Sequence, residues 1–154
     1  MRYCLALDLY EDATLIAEYE QWHRAIWPEI RDSITGSGIT EMEIWRLEDR
    51  LFPMLKRALG WQAQHIERYL ICRYGAEDQG FFSRHRDDVT AGTAHRKFAV
   101  SLNLNDGYEG GDLRFPEFGP RTYRPPAGGA TVFACGLLHE ATPVTKGERF
   151  VFVP

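Results

Sequence analysis

The sequence predicts an α+β protein in which helices precede a β-sandwich or barrel. Between residues 15 and 34, apolar side chains recur every three or four positions, which is the spacing of an amphipathic helix. From residue 67 onward, short apolar runs alternate with turns rich in glycine and proline. This pattern is typical of antiparallel strands in a sandwich or barrel. A length of 154 residues suits one domain or two small ones.

The composition is that of a globular protein with a buried core. Apolar residues make up 44% of the chain and charged residues 26%. The formal charge of -4 gives no reason to expect nucleic acid or an anionic membrane as a partner. The three cysteines lie in apolar runs and form no CxxC pair, so we expect buried free thiols and a reducing compartment.

Neither a signal peptide nor a membrane span is expected from the sequence. Asp8, Glu11 and Asp12 interrupt any apolar core that a signal peptide would need. No apolar run approaches the roughly 20 residues that cross a bilayer. We therefore expect a cytoplasmic protein.

The first elements are a strand at residues 2–10 and a helix that begins after Asp12. Asp12 is a candidate N-cap, because its carboxylate can accept hydrogen bonds from the first free amides of a helix. Pro28 either kinks this helix or begins a second one, since proline has no amide hydrogen to donate. The glycines at residues 36–38 end the helical stretch.

The next residues are predicted to continue the mixed pattern. We expect a strand at 39–46, a turn at 47–50, a short strand at 51–54 and a helix at 55–66. Pro53 restricts the short strand to the edge of a sheet. Gly60 weakens the predicted helix, because glycine in a helix interior costs stability.

The remaining chain is predicted to be strands separated by turns. The expected strands are residues 68–74, 97–104, 112–115, 121–124, 130–134, 139–144 and 149–153. Glycine and proline pairs between them supply the turns.

Two histidines and one aspartate in this region form a candidate metal site. His85 and Asp87 are one residue apart, so on a strand both side chains would point to the same side. Alone, this tripeptide would be a surface turn, and His139 alone would be a hydrogen-bonded core residue. Together, two imidazoles and one carboxylate suit non-haem Fe(II), because they leave three coordination positions open.

Arg149 is the candidate partner of an anionic cosubstrate. A 2-oxo acid that binds such a metal through two atoms leaves its far carboxylate free, and a guanidinium is a planar, permanently charged partner for it. A predicted turn at residues 145–148 separates His139 from Arg149. We therefore expect the two residues on adjacent strands, with Arg149 facing inward. Alone, Arg149 would be a surface charge.

Six segments of the C-terminal half carry a family resemblance. They are RYLICRY at 68–74, GFFSRHRD at 80–87, SLNLN at 101–105, YEGGDL at 108–113, PAGGA at 126–130 and LHEATPVTKGER at 138–149. Through them, residues 66–153 resemble the Fe(II)/2-oxoglutarate-dependent dioxygenases of the prolyl-4-hydroxylase-like type. The resemblance implies a double-stranded β-helix, also called a jelly roll.

The resemblance also implies a site and an activity. His85, Asp87 and His139 would be the iron ligands, and Arg149 would bind the C5 carboxylate of 2-oxoglutarate. Tyr74 would contact the same cosubstrate, with a core tyrosine as the alternative. The cofactors would be Fe(II), 2-oxoglutarate and O₂, with ascorbate as a further candidate. The activity would be decarboxylation of 2-oxoglutarate coupled to hydroxylation of a C–H bond in a protein side chain, often prolyl, or in a small molecule.

The N-terminal third carries a second resemblance. The matching residues are EYEQWHRAIWPE at 18–29, Gly38-Ile39, Trp45 and Leu51-Phe52. Through them, residues 1–54 resemble the first half of the L-rhamnose mutarotase family, which has a ferredoxin-like fold. His23 would act as acid and base on the sugar, and Tyr19 would assist. The alternative is that both side chains pack inward with Trp22 and Trp27.

The two resemblances predict a division of the chain. Residues 1–55 would be a mutarotase-like segment that supports the β core without forming an independent domain, and residues 56–154 would be the dioxygenase unit. The leading hypothesis is a hydroxylase acting on a protein or small molecule. The alternatives are a sugar mutarotase that uses His23, or a non-catalytic binding module in a fused or truncated chain. The second half of the mutarotase pattern is missing, and the sequence ends soon after Arg149. The substrate and the oligomeric state are left open.

Overall fold

A computed structural model describes residues 12–37 and 47–154 of the protein. The chain divides into two compact units, and the second of them begins at Glu67 and runs to Pro154. The predicted strands at 2–10 and 39–46 lie outside the described residues. Nowhere in the described ranges is there a helix with the length and apolarity that a bilayer crossing would require.

The first two helices agree with the sequence prediction. Helix α1 spans Ala13–Arg24, and the Asp12 carboxylate accepts hydrogen bonds from the amides of Thr14 and Leu15 at 2.8 and 3.1 Å. Helix α2 spans Pro28–Gly36, so Pro28 begins a second helix instead of kinking the first. It stands at the first helical position, where its missing amide hydrogen costs nothing.

The apolar side chains of these two helices are exposed. No residue of α1 or α2 is buried, and Trp22 and Trp27 are 51% and 55% exposed. The alternative in which Tyr19 and His23 pack inward with these tryptophans is therefore wrong.

The third helix replaces a predicted turn and a predicted strand. Helix α3 spans Leu47–Leu59, so the turn at 47–50 and the strand at 51–54 are both wrong. Leu51 and Leu55 are one helical turn apart, and both are buried. Their burial stabilises the helix despite Pro53 in its interior. Gly60 adopts a positive φ of 68° and ends the helix, where glycine is the favoured residue.

The C-terminal unit contains ten strands. They are β1 (Leu70–Gly75), β2 (Phe82–His85), β3 (Phe98–Asn103), β4 (Glu109–Gly110), β5 (Leu113–Arg114), β6 (Thr122–Tyr123), β7 (Ala130–Ala134), β8 (His139–Ala141), β9 (Val144–Lys146) and β10 (Glu148–Val153). The predicted strand at 139–144 is divided between β8 and β9. The two-stranded sheet of β4 and β9 was not predicted.

Eight of these strands form two antiparallel sheets of four. Their orders are β1-β10-β3-β7 and β2-β8-β5-β6, so the chain crosses repeatedly from one sheet to the other. This alternation is the jelly-roll arrangement. The α+β class and the double-stranded β-helix are therefore confirmed.

The core of this unit lies between the two sheets. It contains Phe133 of β7 and Leu113 of β5, together with Phe115 just after β5. The ring of Phe115 meets the ring of Phe133 edge-on, with centroids 5.1 Å apart. Cys135 belongs to the same cluster, as expected of a buried thiol, whereas Cys72 on β1 is only half-buried.

Truncation of Phe115 should destabilise this unit strongly. Phe115 is 7% exposed, so Phe115→Ala should lower the free energy of unfolding by about 3–5 kcal/mol. Urea denaturation followed by circular dichroism measures this change. Phe118→Ala is the matched control, because Phe118 lies three residues away and is 67% exposed. Equal losses in the two variants would contradict the packing described here.

Candidate metal and cosubstrate site

Two strands of the second sheet bring the histidines together. His85 is the last residue of β2 and His139 is the first residue of β8. The two residues are direct partners in the antiparallel pairing of these strands. Directly paired residues point to the same face of a sheet, and the ring centroids lie 4.2 Å apart.

Backbone carbonyls fix the orientation of both imidazoles. The Nδ1 atom of His85 lies 2.8 Å from the carbonyl oxygen of Ser83, and Nδ1 of His139 lies 3.0 Å from that of Leu137. A carbonyl oxygen can only accept, so each Nδ1 carries the proton and donates it. In the neutral imidazole this leaves the lone pair on Nε2, which is the atom that would bind a metal.

Asp87 completes the group from a loop. Its carboxylate oxygens lie 3.3 Å from Nε2 of His85 and 3.6 Å from Nε2 of His139. Strand β2 ends at His85, so Asp87 does not share a strand face with it as the spacing had suggested. Instead, the amide of Asp87 donates a hydrogen bond of 2.9 Å to the carbonyl of Cys135, which anchors the loop beside the end of β7.

The dimensions of this group fit one metal ion. One ligand atom from each of the three residues lies within 4.8 Å of the others. Metal–ligand distances of about 2.0–2.2 Å place neighbouring ligands of an octahedral ion about 3 Å apart. The separations of 3.3 and 3.6 Å between the carboxylate oxygens and the two Nε2 atoms are close to this value. Two nitrogens and one carboxylate oxygen form the donor set that suits Fe(II) with open positions.

The surroundings keep the second histidine neutral. His139 is 6% exposed, and burial lowers its pKa. The ring of Phe133 lies 4.6 Å from the His139 ring and excludes water on that side. Burial also raises the pKa of the Cys135 thiol to about 11. A neutral imidazole is the form that a metal requires.

Arg149 is a buried cation among neutral groups. It is 4% exposed, and its guanidinium donates to Asn103 Oδ1 at 3.2 and 3.4 Å and to Ser101 Oγ at 3.1 Å. No acidic residue in the described ranges forms an ion pair with it. A buried charge without a counter-ion is costly, so the position suits an anionic ligand.

Arg149 faces inward as predicted, but its strand is not adjacent to that of His139. Arg149 belongs to β10 in the first sheet, His139 belongs to β8 in the second, and β9 lies between them in sequence. The pairing of β10 with β3 and of β3 with β7 places Arg149 on the inner face that also carries Phe133. Phe133 contacts His139, so both parts of the site line the space between the sheets.

Tyr74 lies directly opposite Arg149 on the neighbouring strand β1. The guanidinium carbon of Arg149 is 5.6 Å from the centre of the Tyr74 ring, within the range of a cation–π contact. Burial raises the pKa of the Tyr74 hydroxyl, which therefore stays protonated near neutral pH. A protonated hydroxyl at this position can donate a hydrogen bond to an anion.

Ser101 and Asn103 were not predicted as site residues, although both contact the Arg149 guanidinium. A signal for them was present. In Ser101-Leu102-Asn103 of β3, polar residues alternate with an apolar one. On a central strand, this alternation gives one polar face, and that face is the inner one.

Comparison with known proteins agrees with this geometry. The sequence profile of the 2OG-Fe(II) oxygenase superfamily matches residues 69–153, more than half of the chain. The chain belongs to the 2OG-Fe(II) oxygenase superfamily. The superfamily implies Fe(II), 2-oxoglutarate and O₂ as cofactors, and the His–Asp–His group in the C-terminal unit is consistent with them.

Two relatives of the oxygenase type are similar to this superfamily member. A PKHD-type hydroxylase from Maricaulis maris is 35% identical over 92 residues, which cover 57% of this chain and 41% of that protein. The crystal structure of a Pseudomonas putida prolyl-4-hydroxylase aligns with a TM-score of 0.51 and 27% identity. That alignment covers 68% of this chain and 58% of the other.

The N-terminal part of this oxygenase-superfamily chain is similar to a different group. The profile described as L-rhamnose mutarotase matches residues 2–71. An L-fucose mutarotase from Xanthomonas campestris pv. campestris is 50% identical over 56 residues, which cover 35% of this chain and 45% of that protein. The chain thus spans less than half the length of both curated relatives.

Proposed function

We propose that the chain is an Fe(II)- and 2-oxoglutarate-dependent hydroxylase. The observation that carries this proposal is that the space between the two sheets is lined by both a three-residue ligand group and a buried arginine that has no counter-ion among the described residues. The ligand group would hold the metal, and the arginine would hold the far end of a dianionic cosubstrate. Binding a metal alone would not require a buried cation, whereas binding a dianionic cosubstrate would.

His85, Asp87 and His139 are the proposed metal ligands. Their hydrogen bonds to Ser83, Leu137 and Cys135 hold the donor atoms in place before a metal binds. Pre-organised ligands lose little conformational entropy on binding. Bound Fe(II) would supply the activation of O₂ that side chains alone cannot provide.

Arg149 and Tyr74 are the proposed cosubstrate-binding residues. The guanidinium would pair with the C5 carboxylate of 2-oxoglutarate, and the Tyr74 hydroxyl would donate a further hydrogen bond. The balanced reaction consumes 2-oxoglutarate, O₂ and a substrate C–H group. It yields succinate, CO₂ and the hydroxylated product. The residues of the chain orient the reactants and exclude water from the space between the sheets.

An apolar cavity beside the ligand group supports a compact apolar substrate group. Its volume is about 320 Å³, and its lining is Phe115, Phe118, Tyr123, Thr131, Val132, Phe133 and Leu137. None of these side chains is charged, and Phe133 also touches His139. A prolyl-like side chain of a protein suits this lining. The prolyl hydroxylase named among the relatives supports the same substrate class.

The proposal does not extend to sugar chemistry at His23 and Tyr19. The two rings are in tilted contact with centroids 4.1 Å apart, and Nδ1 of His23 is hydrogen-bonded to the carbonyl of Tyr19 at 2.8 Å. His23 is exposed on α1, however, and α1 buries no residue. An enclosed sugar pocket would need buried walls around this pair.

The direct test is cosubstrate turnover by the wild-type protein. Protein purified without oxygen should convert labelled 2-oxoglutarate to succinate when Fe(II) and air are added, even without a substrate. Ascorbate should prolong this uncoupled reaction. A folded protein that binds Fe(II) and 2-oxoglutarate but forms no succinate would leave a binding module as the better description.

A further inference from the structure

Asn103 is the most buried polar side chain near Arg149. It is 1% exposed and lies near the end of the central strand β3. Its amide nitrogen donates to the carbonyl of Pro125 at 2.7 Å and to the hydroxyl of Tyr108 at 2.8 Å. The Pro125 carbonyl can only accept, so it identifies the nitrogen end of the amide. The oxygen end must therefore face Arg149.

The amide oxygen of Asn103 orients the guanidinium without neutralising it. It accepts from both Nε and Nη2 of Arg149, while Ser101 Oγ provides a second neutral acceptor for Nη2. Within the described ranges, Nη1 makes no hydrogen bond. One edge of the guanidinium is thus held by neutral oxygens, while its positive charge and Nη1 are left for a ligand. Aspartate has nearly the same shape as asparagine but would supply an internal counter-ion.

Contacts from Arg124 to residues 108–112 hold Tyr108 in place. Arg124 donates to the carbonyls of Tyr108 and Gly110 at 3.0 and 2.8 Å, pairs with Asp112, and lies 4.8 Å from the centre of the Tyr108 ring. Gly111 in this segment has a φ of +67°, and a Cβ there would lie 3.2 Å from Cδ of Arg149. The segment therefore packs directly on the arginine that Asn103 orients.

We propose that Asn103, held by Tyr108 and Pro125, is a positioning and specificity-determining residue that makes the protein select 2-oxo acids with a second carboxylate. This inference rests on the proposed function, because it assumes that Arg149 meets the cosubstrate. Asn103 acts through Arg149 and does not need to touch the ligand. Because Asn103 is neutral, the positive charge of Arg149 is left to attract the far carboxylate. Because the Asn103 amide is fixed, it also sets the orientation of the guanidinium.

The test compares Asn103→Asp with the wild-type protein in a complex that cannot turn over. Calorimetric titration without oxygen, with Mn(II) in place of Fe(II), gives the dissociation constants of 2-oxoglutarate and of Mn(II). Asn103→Asp should weaken 2-oxoglutarate binding at least about tenfold, since the new carboxylate competes for Arg149. Its affinity for Mn(II) should stay within about twofold of wild type. The preference for 2-oxoglutarate over 2-oxobutyrate, which lacks the second carboxylate, should fall by a similar factor.

Two further variants separate this role from a general structural one. Asn105→Asp is the matched control, because Asn105 is also a buried asparagine but, among the described residues, its side chain bonds only backbone atoms of Asp106, Glu148 and Phe150. It should keep the wild-type preference. Tyr108→Phe removes one partner of Asn103 while keeping the ring, and should weaken 2-oxoglutarate binding about two- to fivefold. If Asn103→Asp does not fold, Tyr108→Phe still decides the question.

The outcomes distinguish this inference from the proposed function. If the wild-type protein binds 2-oxoglutarate and both Asn103→Asp and Tyr108→Phe bind it with the same affinity, the inference is overturned. The hydroxylase proposal then still stands. The inference would also be overturned if Asn105→Asp lost as much 2-oxoglutarate affinity as Asn103→Asp. A folded wild-type protein that binds Mn(II) but not 2-oxoglutarate would overturn the proposed function, and the inference with it.

Discussion

Replacing His139 or Asp87 by alanine should reduce succinate formation at least about 100-fold, because each change removes one of three proposed metal ligands. The same variants should lose the increase in melting temperature that Fe(II) or Mn(II) gives the wild-type protein. A ligand that binds only the folded state stabilises it, and a broken site cannot provide this effect. Discontinuous succinate assays and thermal denaturation with added metal measure the two losses.

His95→Ala provides the matched control for these variants. His95 is another histidine near an acidic residue, with Nε2 3.3 Å from Glu67, but its side chain is 57% exposed and it does not belong to the ligand group. Its removal should leave turnover and metal stabilisation within about twofold of wild type. Wild-type turnover in Asp87→Ala, or an equal loss in His95→Ala, would rule out the assigned ligands.

Replacing Arg149 by methionine should have opposite effects on ligand binding and on stability. Losing one partner of a buried, hydrogen-bonded charge pair costs about 2–5 kcal/mol, so the KM for 2-oxoglutarate should rise roughly 30-fold or more. Without cosubstrate, the variant should be as stable as wild type or more stable, because it no longer buries a cation among neutral groups. Steady-state kinetics and urea denaturation give the two quantities.

Arg149→Lys and Arg121→Met refine this prediction. Lysine keeps the charge but cannot make the paired contacts of a guanidinium, so Arg149→Lys should fall between wild type and Arg149→Met in KM. Arg121 is exposed and lies over the Tyr123 ring at 5.1 Å, away from Arg149. Its replacement should leave KM unchanged. A large loss of stability in ligand-free Arg149→Met would show that the arginine serves packing and not an anion.

The jelly roll was predictable from sequence because its signals are local or carried by motifs. Alternation and turn residues mark β1, β3 and β7, and the joint occurrence of His85, Asp87 and His139 marks the metal group. The identity of the strand neighbours was not accessible in this way. The placement of Arg149 beside His139's strand was wrong because the chain changes sheets between them, and sequence distance does not report such a crossing.

The remaining errors have a common physical cause. Pro53 and Gly60 have strong local preferences, and both were interpreted from those preferences alone. The burial of Leu51 and Leu55 outweighs Pro53 in α3, and Gly60 lies at the helix end instead of in the interior. Asn103 was passed over because its importance depends on what it faces across the sheet. Tertiary packing determines the conformation or role of all three residues, and it cannot be deduced from a short window of sequence.

The strands of the two jelly-roll sheets differ in length. In the first sheet, strands run for five or six residues, whereas β2, β8, β5 and β6 of the second run for four, three, two and two. Strands this short share few inter-strand hydrogen bonds, so the second sheet should separate locally more easily than the first. An ion shared by His85 and His139 would tie β2 to β8 across a long loop, as a covalent cross-link would. A bound metal would then stabilise the fold as well as take part in the reaction, and the stability of the second sheet would depend on the supply of iron.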